Sequence, residues 1–380
     1  MRVVVAMSGG VDSSVAAGLM VEAGHEVIGM TMKLRDASPS EKAGRSGSCC
    51  SPDDLLDARA ACDILNIPHY VVDYRGLFRD RVIEPFAESY LTGETPNPCV
   101  RCNDHVKFAP LLERAEALGA ERLVTGHYAQ ILEHRGGARL ARAADPDKDQ
   151  SYFLFGLDEE TLGKSLFPLG ALHKEEVRAK AKALGLPNWD KADSEDICFV
   201  PEGDYTKIVA RIAGEERLPK AGPILHLDGR ILGEHEGLHR YTVGQRRGLK
   251  VATGERIYVV ALKPESDTLL VGPVDALQVE GFELRECRWP GGGPPIGPLQ
   301  VTARYRHRHR GAPATLIPTA DGRAQLSFAE PQGATAAGQA VVFYQGEQVV
   351  GGGTLHQVIR SEAAASPFDA LLQVAPAATR

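Results

Sequence analysis

A glycine- and serine-rich stretch near the amino terminus has residue types and spacing suited to phosphate binding. Residues 7–14 read MSGGVDSS and directly follow the apolar run RVVVA. Main-chain N–H groups of such a turn, leading into a helix, form a cradle for anions, and serine hydroxyls add donors. Asp12 would repel a phosphate but is suited to holding Mg²⁺ against one. An ordinary helix N-cap, which the same residue types favour, is the alternative.

Thiols are the second chemically reactive group in the sequence. The chain has seven cysteines, among them a Cys99-x-x-Cys102 pair and a distant Cys198 between Ile197 and Phe199. In a reducing compartment, spaced cysteines more often serve as ligands or catalytic groups than as structural disulfides. The alternative for Cys198 is a buried, inert residue, because cysteine packs well among apolar neighbours.

The first two hundred residues must position these groups. Short apolar runs alternate there with helical patterns, and this order favours a parallel sheet with helices on both faces. We therefore expect a Rossmann-like domain over residues 1–202. Ligands of such sheets bind at the carboxyl ends of the strands, where the MSGGVDSS loop and Gly126-His127 both lie. Residues 92–102 contain two prolines and a glycine and predict a loop.

The remaining sequence has a different character. Glycine, proline and short apolar runs predict a small β-rich domain over residues 203–275 and a C-terminal β-barrel-like domain over residues 276–360. Residues 361–380 are alanine-rich and predict a flexible tail. Residues 304–310, RYRHRHR, carry arginine at period two, which predicts a basic strand face suited to a phosphate backbone. A second basic cluster comprises Arg240, Arg246, Arg247 and Lys250.

Composition sets broad limits on partners and location. The net charge is −7, so nothing global indicates nucleic acid, although charge can segregate on a surface. The sequence contains no apolar run long enough for a membrane span. The amino terminus enters a strand directly, without the pattern of a signal peptide, and this predicts a cytoplasmic protein.

The motif Ser-Gly-Gly-Val-Asp-Ser resembles the signature of the PP-loop ATP pyrophosphatases. Six further blocks, in the right order over about residues 1–358, resemble those of the bacterial tRNA-specific 2-thiouridylases. The blocks are residues 95–103, 125–128, 147–154, 194–199, 242–248 and 302–305. The resemblance implies that the loop holds the β- and γ-phosphates of ATP while the α-phosphate is attacked. A loop without the usual P-loop lysine fits this chemistry, because no γ-phosphoryl group is transferred.

The resemblance also implies a specific reaction. Members of the family replace the C2 oxygen of the wobble uridine (U34) of tRNA with sulfur, using ATP and Mg²⁺. The oxygen is first adenylated, and sulfur from a cysteine persulfide then gives 2-thiouridine, AMP and diphosphate. The implied partners are tRNA with a wobble uridine and a protein that donates persulfide sulfur, either a cysteine desulfurase or a relay protein.

Site residues follow from the same resemblance. Cys198 is implied as the persulfide carrier and Cys102 as the nucleophile, with a disulfide between them at the end of turnover. The implied ATP contacts are Ala6, Met7, Ser8, Gly9, Gly10, Val11, Asp12, Ser13, Met32 and Gly126. The implied tRNA contacts are Asn97, Pro98, Cys99, His127, Lys148, Asp149, Gln150, Arg304, Tyr305 and Gln339.

Cys99 departs from the family pattern, in which many members carry an aspartate proposed as an acid/base group. Three interpretations are open. Cys99 is an auxiliary, resolving or merely tolerated thiol. Alternatively, it forms a redox couple with Cys102, since a Cys-x-x-Cys arrangement lowers one thiol pKa. In the third interpretation, Cys99, Cys102 and Cys198 together ligate an iron–sulfur cluster.

Two other functions compete with thiolation. Another PP-loop reaction, such as amidation or argininosuccinate formation, would require an ammonia or amino-acid site instead of paired thiols. A non-catalytic adenine-nucleotide sensor that binds RNA would retain the loop but would not need Cys198.

Overall fold

The computed structural model describes residues 1–36, 52–134, 137–193, 197–200, 203–290, 292–319 and 321–361. Residues 194–196, which belong to one of the family-like blocks, and residues 362–380 of the predicted tail lie outside the described residues. Within the described ranges, no helix combines the length and the apolar character needed to cross a membrane.

A five-stranded parallel sheet forms the centre of the N-terminal part, with the strand order β3-β2-β1-β4-β7. Val4 of the central strand packs into an apolar core on one face of the sheet, while Val3 and Val5 pack into a second core on the other. The predicted Rossmann-like fold is therefore confirmed. The strands in this part of the chain are β1 (Arg2–Ala6), β2 (Glu26–Lys33), β3 (His69–Asp73), β4 (Arg122–Val124), β5 (Gln130–His134), β6 (Gly137–Ala141) and β7 (Ser165–Leu166).

Short helices connect these strands, and the connection between β3 and β4 contains two π-helical turns, Arg79–Ile83 and Asn103–Lys107. The described helices are α1 (Val11–Glu22), α2 (Pro52–Ile64), α3 (Arg75–Phe78), α4 (Glu84–Leu91), α5 (Pro98–Cys102), α6 (Phe108–Ala117), α7 (Glu159–Gly163), α8 (Lys174–Ala183) and α9 (Tyr205–Ala213).

The segment predicted as a loop over residues 92–102 contains helix α5. Asn97 caps this helix, because its Oδ1 accepts a hydrogen bond from the N–H of Val100 at 3.3 Å. Pro98 occupies the first helical position, where its missing N–H costs nothing. The loop prediction is therefore wrong for Pro98–Cys102, and the Asn-Pro pair is the overlooked helix-start signal.

A small four-stranded sheet follows α9, with the strand order β10-β11-β8-β9. Its strands are β8 (Gly222–His226), β9 (Ile231–His235), β10 (Tyr258–Lys263) and β11 (Thr268–Gly272). Strands β8 and β11 pair in parallel, whereas the other pairs are antiparallel.

Six antiparallel strands form a closed C-terminal barrel, because β12 pairs with both β15 and β17. They are β12 (Gln278–Arg288), β13 (Leu299–Arg304), β14 (Ala312–Pro318), β15 (Ala324–Gly333), β16 (Ala340–Gln345) and β17 (Gln348–Ile359). The predicted barrel is confirmed. The sequence did not predict that the β5–β6 hairpin of the N-terminal part would extend this sheet, with Ala141 opposite Gln348.

The basic strand predicted over residues 304–310 ends at its first residue. Strand β13 stops at Arg304, and the N–H of His309 bonds the carbonyl of Arg306 in a turn. Arg304 points inward and pairs with a buried aspartate, Asp149. Because the backbone leaves the sheet there, the period-two pattern does not place the four arginines on one face.

Candidate nucleotide and thiol site

Serine hydroxyls hold the loop between β1 and α1 in shape. Ser13 Oγ accepts the N–H of Ser8 at 3.1 Å and donates to the carbonyl of Gly10 at 3.1 Å. Ser14 Oγ donates to the same carbonyl. Gly10 is the N-cap of α1 and has no side chain to satisfy the first-turn N–H groups. These groups are therefore oriented for an external anion.

Two glycines allow backbone segments to approach the loop closely. A Cβ atom on Gly9 would lie 2.1 Å from the carbonyl oxygen of Asp54, and Gly9 has a φ of +76°. A Cβ on Gly126, which follows β4, would lie 2.7 Å from the carbonyl carbon of Asp12 and the nitrogen of Ser13. The end of β4 thus packs directly on the loop, as the implied nucleotide contact at Gly126 requires.

An ion-pair network surrounds Asp12. Both carboxylate oxygens accept from Lys174 Nζ, at 2.8 and 2.9 Å, and Oδ1 also accepts from the Tyr128 hydroxyl at 2.9 Å. Lys174 Nζ is 2.6 Å from Asp193, which pairs with Lys148 at 2.7 Å. The loop that lacks its own lysine is thus supplied with cations from distant parts of the chain.

Sequence reasoning missed Lys174. It occupies the first position of α8, where a cation opposes the helix dipole. This unfavourably placed charge was the sequence signal that could have identified Lys174. Burial opposes ionisation of Asp193, but hydrogen bonds from Lys148 and Lys174 hold its pKa below the usual value.

A second pair of side chains braces the loop from the segment after α8. Asn188 Nδ2 donates to the carbonyl of Gly9 at 3.0 Å and to Ser14 Oγ at 3.1 Å. Lys191 Nζ donates to the same carbonyl at 3.3 Å and pairs with Asp54 at 2.7 Å. These contacts fix the outer side of the loop.

The remaining implied nucleotide contacts border the loop or the adjacent strand. Ala6 ends β1, and Met7 is buried with its N–H bonded to the carbonyl of Met30 at 2.8 Å. Val11 is buried at the start of α1. Met32, near the end of β2, is half-buried and packs against both the sheet core and a cluster that contains thiols.

That cluster brings Cys102 and Cys198 together. Cys102 is buried at the end of α5, and Cys198 is half-buried and packed against the same apolar group as Phe86 and Phe199. Cys99, at the other end of α5, is exposed. The two thiols implied for chemistry therefore belong to one apolar cluster with Met32, while Cys99 is exposed.

A carboxyl group lies two residues beyond Cys102. Asp104 is in the π-helical turn, and burial raises its pKa from 3.8 to about 7. Its Oδ1 is buried and accepts no hydrogen bond from the described residues. A Cβ on Gly156 would lie 2.2 Å from that oxygen. Asp104 is thus a carboxyl group with a pKa near neutral pH beside α5, the thiol helix that carries Cys99 and Cys102.

His127 is not oriented towards open solvent. Its Nδ1 is 2.8 Å from Thr125 Oγ1, and its ring stacks on Phe108 with centroids 5.7 Å apart. Burial and the charge of Lys107 lower its pKa well below the usual value. His127 is therefore neutral at physiological pH, and its contact with tRNA remains a prediction.

The segment Lys148-Asp149-Gln150 forms internal contacts in this structure. Gln150 Oε1 accepts the N–H of Tyr128 at 2.9 Å. Asp149 is buried and pairs with Arg304 at 2.6 Å. Arg304 also donates to the carbonyl of His307. The predicted surface location of Arg304 is wrong, because Arg304 and Asp149 each require the other as a buried partner, and the implied contact of Asp149 with tRNA stays a prediction.

Tyr305 lies inside the barrel rather than on its surface. Its ring packs edge-on against Phe282 with centroids 5.3 Å apart, and it is 4% exposed. The adjacent Arg306 bonds the carbonyl of Ala334 at 2.8 Å. The expected surface pair Arg304-Tyr305 is therefore corrected to two buried residues, and their contact with tRNA stays a prediction.

Gln339, at the entrance to β16, contacts the segment before α5. Its Nε2 donates to the carbonyls of Thr95 at 2.8 Å and Pro96 at 3.4 Å. The structure thus brings Gln339 together with Asn97, Pro98 and Cys99, the other implied tRNA contacts of this region.

The second basic cluster is on the surface of the central domain. Arg240, Arg246, Arg247 and Lys250 are all exposed. Lys250 and Arg240 share Glu236, at 2.8 and 3.6 Å. Arg246 and Arg247 lie in an open turn, where they are accessible to a phosphate backbone.

The side chains that could act as ligands are arranged differently for an iron–sulfur cluster and for Mg²⁺. No three His, Cys, Asp or Glu side chains in the described ranges are grouped to hold a metal ion, and Cys99, Cys102 and Cys198 all lie in those ranges. The three thiols therefore do not fit an iron–sulfur cluster. A single carboxylate at the phosphate loop, Asp12, fits Mg²⁺ held mainly by nucleotide phosphates.

Three family descriptions match consecutive parts of the chain. Residues 1–202 match the tRNA methyl transferase HUP domain, and residues 212–273 match the tRNA methyl transferase PRC-barrel domain. Residues 279–355 match the Aminomethyltransferase beta-barrel domain.

Curated relatives align over nearly the whole chain. The tRNA-specific 2-thiouridylase MnmA of Rhodospirillum centenum is 48% identical over 377 residues, which cover 97% of this chain and 94% of the relative. The tRNA-specific 2-thiouridylase MnmA of Geotalea uraniireducens is 44% identical over 368 residues, with 96% and 97% covered. Among solved structures, a 4-thiouridine synthetase–RNA complex with bound ATP aligns over 57% of this chain and 50% of that chain, with 18% identity. Its TM-score of 0.34 is too low to carry an argument.

Proposed function

This chain belongs to the family of tRNA-specific 2-thiouridylases, and from that membership we propose that it thiolates C2 of the wobble uridine through a persulfide on Cys198. It is an ATP-dependent enzyme that thiolates uridine in tRNA. The wobble position, the carrier thiol and the order of steps are the proposed parts. The observation that carries the thiol assignment is the apolar cluster that contains Cys102, Cys198 and Met32.

Adenylation is the first step. The uridine C2 oxygen attacks the α-phosphorus of ATP, the bond to the β-phosphate breaks, and diphosphate leaves. The open N–H groups of the loop at Gly10 and the ammonium of Lys174 are suited to the charge on the departing diphosphate. Asp12 would hold Mg²⁺, which neutralises phosphate charge. Adenylation makes the C2 oxygen, which is a poor leaving group by itself, part of AMP.

Sulfur transfer is the second step. The terminal sulfur of the Cys198 persulfide attacks C2, AMP leaves, and a disulfide links Cys198 to the base. The Cys102 thiolate then attacks Cys198 Sγ, and the sulfur–sulfur bond breaks with its electron pair on the 2-thiouridine. The carried sulfur is reduced, and the two cysteines are oxidised to a disulfide. A thiol reductant must restore them before a donor protein reloads Cys198.

Burial of Cys102 beside Cys198 supports this division of roles. The apolar cluster around Cys102 includes Phe86, Phe199 and Val106, and apolar surroundings that exclude water would protect a persulfide and an adenylated base from hydrolysis. Cys99 is exposed. We therefore propose that Cys99 is an auxiliary thiol and does not take the acid/base role proposed for the aspartate that the resemblance implies at this position.

The tRNA must present its wobble base to these thiols, and we propose that the base is splayed out of the anticodon loop. Arg246 and Arg247 are exposed donors for the phosphate backbone. Binding should therefore weaken steeply as salt increases. We propose that the sulfur donor is a cysteine desulfurase or relay protein and that the reaction takes place in the cytoplasm, where ATP and tRNA are available.

One experiment tests the reaction. Full-length protein treated with inorganic polysulfide, to form persulfides, is mixed with MgATP and an unmodified tRNA transcript. Nucleosides from the digested tRNA are then analysed for 2-thiouridine by mass spectrometry. We expect Cys198→Ser to abolish product while leaving ATP binding unchanged.

Cys287→Ala is the matched control, because burial in the barrel raises the pKa of the Cys287 thiol to about 12 and makes it unreactive. It should retain activity. A fully active Cys198→Ser protein would refute the persulfide assignment. ATP binding without any thiolated product in the wild-type protein would favour the nucleotide-sensor alternative.

A further inference from the structure

The C-terminal barrel holds the segment that leads into the thiol helix. Residues 94–97 immediately precede Pro98–Cys102 and lie against residues 337–339, which lead into β16. The N–H of Thr95 donates to the carbonyl of Ala337 at 2.8 Å. Gln339 Nε2 donates to the carbonyls of Thr95 and Pro96. Three hydrogen bonds therefore fix the main chain of two consecutive residues of this segment to the barrel.

An ion pair reinforces the same contact. Glu94 Oε2 lies 2.7 Å from Nη2 of Arg285, which projects from barrel strand β12. Both side chains are only partly exposed, and the neighbouring carboxylate raises the pKa of Arg285. Gly338 allows the close approach, because a Cβ there would lie 3.0 Å from Glu94 Cβ and its φ is +86°.

The C-terminal end of the thiol helix is connected to the barrel through residues 152–153. Asn103, directly after Cys102, donates from Nδ2 to the carbonyl of Phe153 at 3.0 Å. The preceding residue, Tyr152, donates its hydroxyl to the carbonyl of Ala340 at 2.7 Å. Ala340 follows Gln339, so hydrogen bonds connect both ends of the thiol helix, directly or through residues 152–153, to the same edge of the barrel.

We propose that Gln339 is a positioning residue for sulfur transfer, fixing the helix that carries Cys99 and Cys102 relative to Cys198. This inference rests on the proposed function. Its Nε2 already donates to carbonyls of this chain, so positioning is the role we assign to it, and contact with tRNA is the competing outcome. The hydrogen bonds of Gln339 run to Thr95, Pro96, Ala336 and Leu355 and not to the phosphate loop, so we expect adenylation not to require it.

The decisive variant is Gln339→Glu, which keeps the size of the side chain and removes the donor. It places a carboxylate opposite two carbonyl oxygens. Gln345→Ala is the matched control, since Gln345 donates only to the carbonyl of Gln300 within the barrel. Gln339→Asn retains the amide at shorter reach and should recover part of the activity.

Three quantities are compared in full-length, polysulfide-treated protein. They are the affinity for a tRNA transcript, the diphosphate released on mixing with MgATP and tRNA, and the single-turnover rate of 2-thiouridine formation. We expect Gln339→Glu to lower the single-turnover rate of 2-thiouridine formation by about tenfold or more. The affinity for tRNA and the release of diphosphate should stay within twofold of wild type. Gln345→Ala should change none of them.

Two results would overturn the proposal. A matching loss of tRNA affinity would make Gln339 a tRNA contact, and an unchanged rate of 2-thiouridine formation would give it no role. A separate readout does not depend on the reaction: the rate of Cys102 alkylation by iodoacetamide, resolved by peptide mass spectrometry, should change in Gln339→Glu but not in Gln345→Ala. If the wild-type protein forms no 2-thiouridine, the proposed function fails while alkylation still tests the positioning.

Discussion

Arg304 and Asp149 form an ion pair in which Nη1 and Oδ2 lie 2.6 Å apart, with side chains only 8% and 2% exposed. Arg304 ends barrel strand β13, whereas Asp149 belongs to the N-terminal part. Asp149 Oδ1 also accepts the N–H groups of Ala143 and Ser151, at 3.3 and 3.1 Å. The pair therefore joins two domains through a fully bonded carboxylate.

Removal of one partner should destabilise the protein strongly. Arg304→Met leaves the Asp149 charge buried without its cation, which typically costs about 3–5 kcal/mol. The free energy of unfolding in urea measures the loss. An Arg304→Met/Asp149→Asn double variant should recover part of it. Arg230→Met, which removes an exposed pair with Asp228, should leave unfolding almost unchanged. Equal effects of Arg304→Met and Arg230→Met would contradict a structural role for the buried pair.

Gly126→Ala should impair nucleotide binding. Its Cβ would lie 2.7 Å from main-chain atoms of Asp12 and Ser13, so the phosphate loop or the end of β4 must shift. We expect the dissociation constant for MgATP, measured by calorimetry, to rise at least tenfold. Gly163→Ala is the control, because a Cβ there meets nothing within 4 Å. Wild-type affinity in Gly126→Ala would show that the contact can relax without affecting the site.

Lys174→Met should also weaken MgATP binding. The substitution leaves Asp12 and Asp193 without the cation they share, so the site becomes more negative towards phosphate. Hydrogen bonds to charged groups contribute about 1.5–3 kcal/mol, which corresponds to a loss of roughly tenfold to a hundredfold. Lys164→Met removes exposed pairs with Glu116 and Glu160 and should bind normally. The prediction fails if the two variants have the same affinity.

Asp104 should make stability depend on pH. Burial raises its pKa from 3.8 to about 7, so the folded chain binds this proton more tightly than the unfolded chain. The resulting stabilisation is fully present below about pH 4 and is lost as the pH rises through 7. Asp104→Asn should therefore flatten the change in melting temperature between pH 5 and pH 8. Asp147→Asn, an exposed acid, should retain the wild-type slope, and an unaltered slope in Asp104→Asn would contradict the shift.

Local patterns in the sequence predicted the main elements of the site. The MSGGVDSS loop, its position after β1 and the proximity of Gly126 all follow from one βα unit and its neighbour in a parallel sheet. Such contacts depend on short-range order and on a rule that holds for all such sheets.

The remaining contacts of the site could be identified only from the folded structure. Lys174 reaches Asp12 across 162 positions of sequence, and the pairing of Arg304 with Asp149 spans 155. Periodicity cannot show which distant charges meet, so the arginine was predicted at the surface. The start of α5 at Pro98 is different, because the Asn-Pro signal was present and was outweighed by the prolines and glycine around it.

The pairing of β6 with β17 has a consequence for biosynthesis. β17 is the last described strand, and Leu140 of the hairpin shares a core with Val342, Tyr344 and Val349. While the ribosome is still making the barrel, the hairpin edge has no strand to pair with and that core is incomplete. The N-terminal part emerges first and must therefore wait for β17, and in the interval its hairpin edge is open to intermolecular pairing.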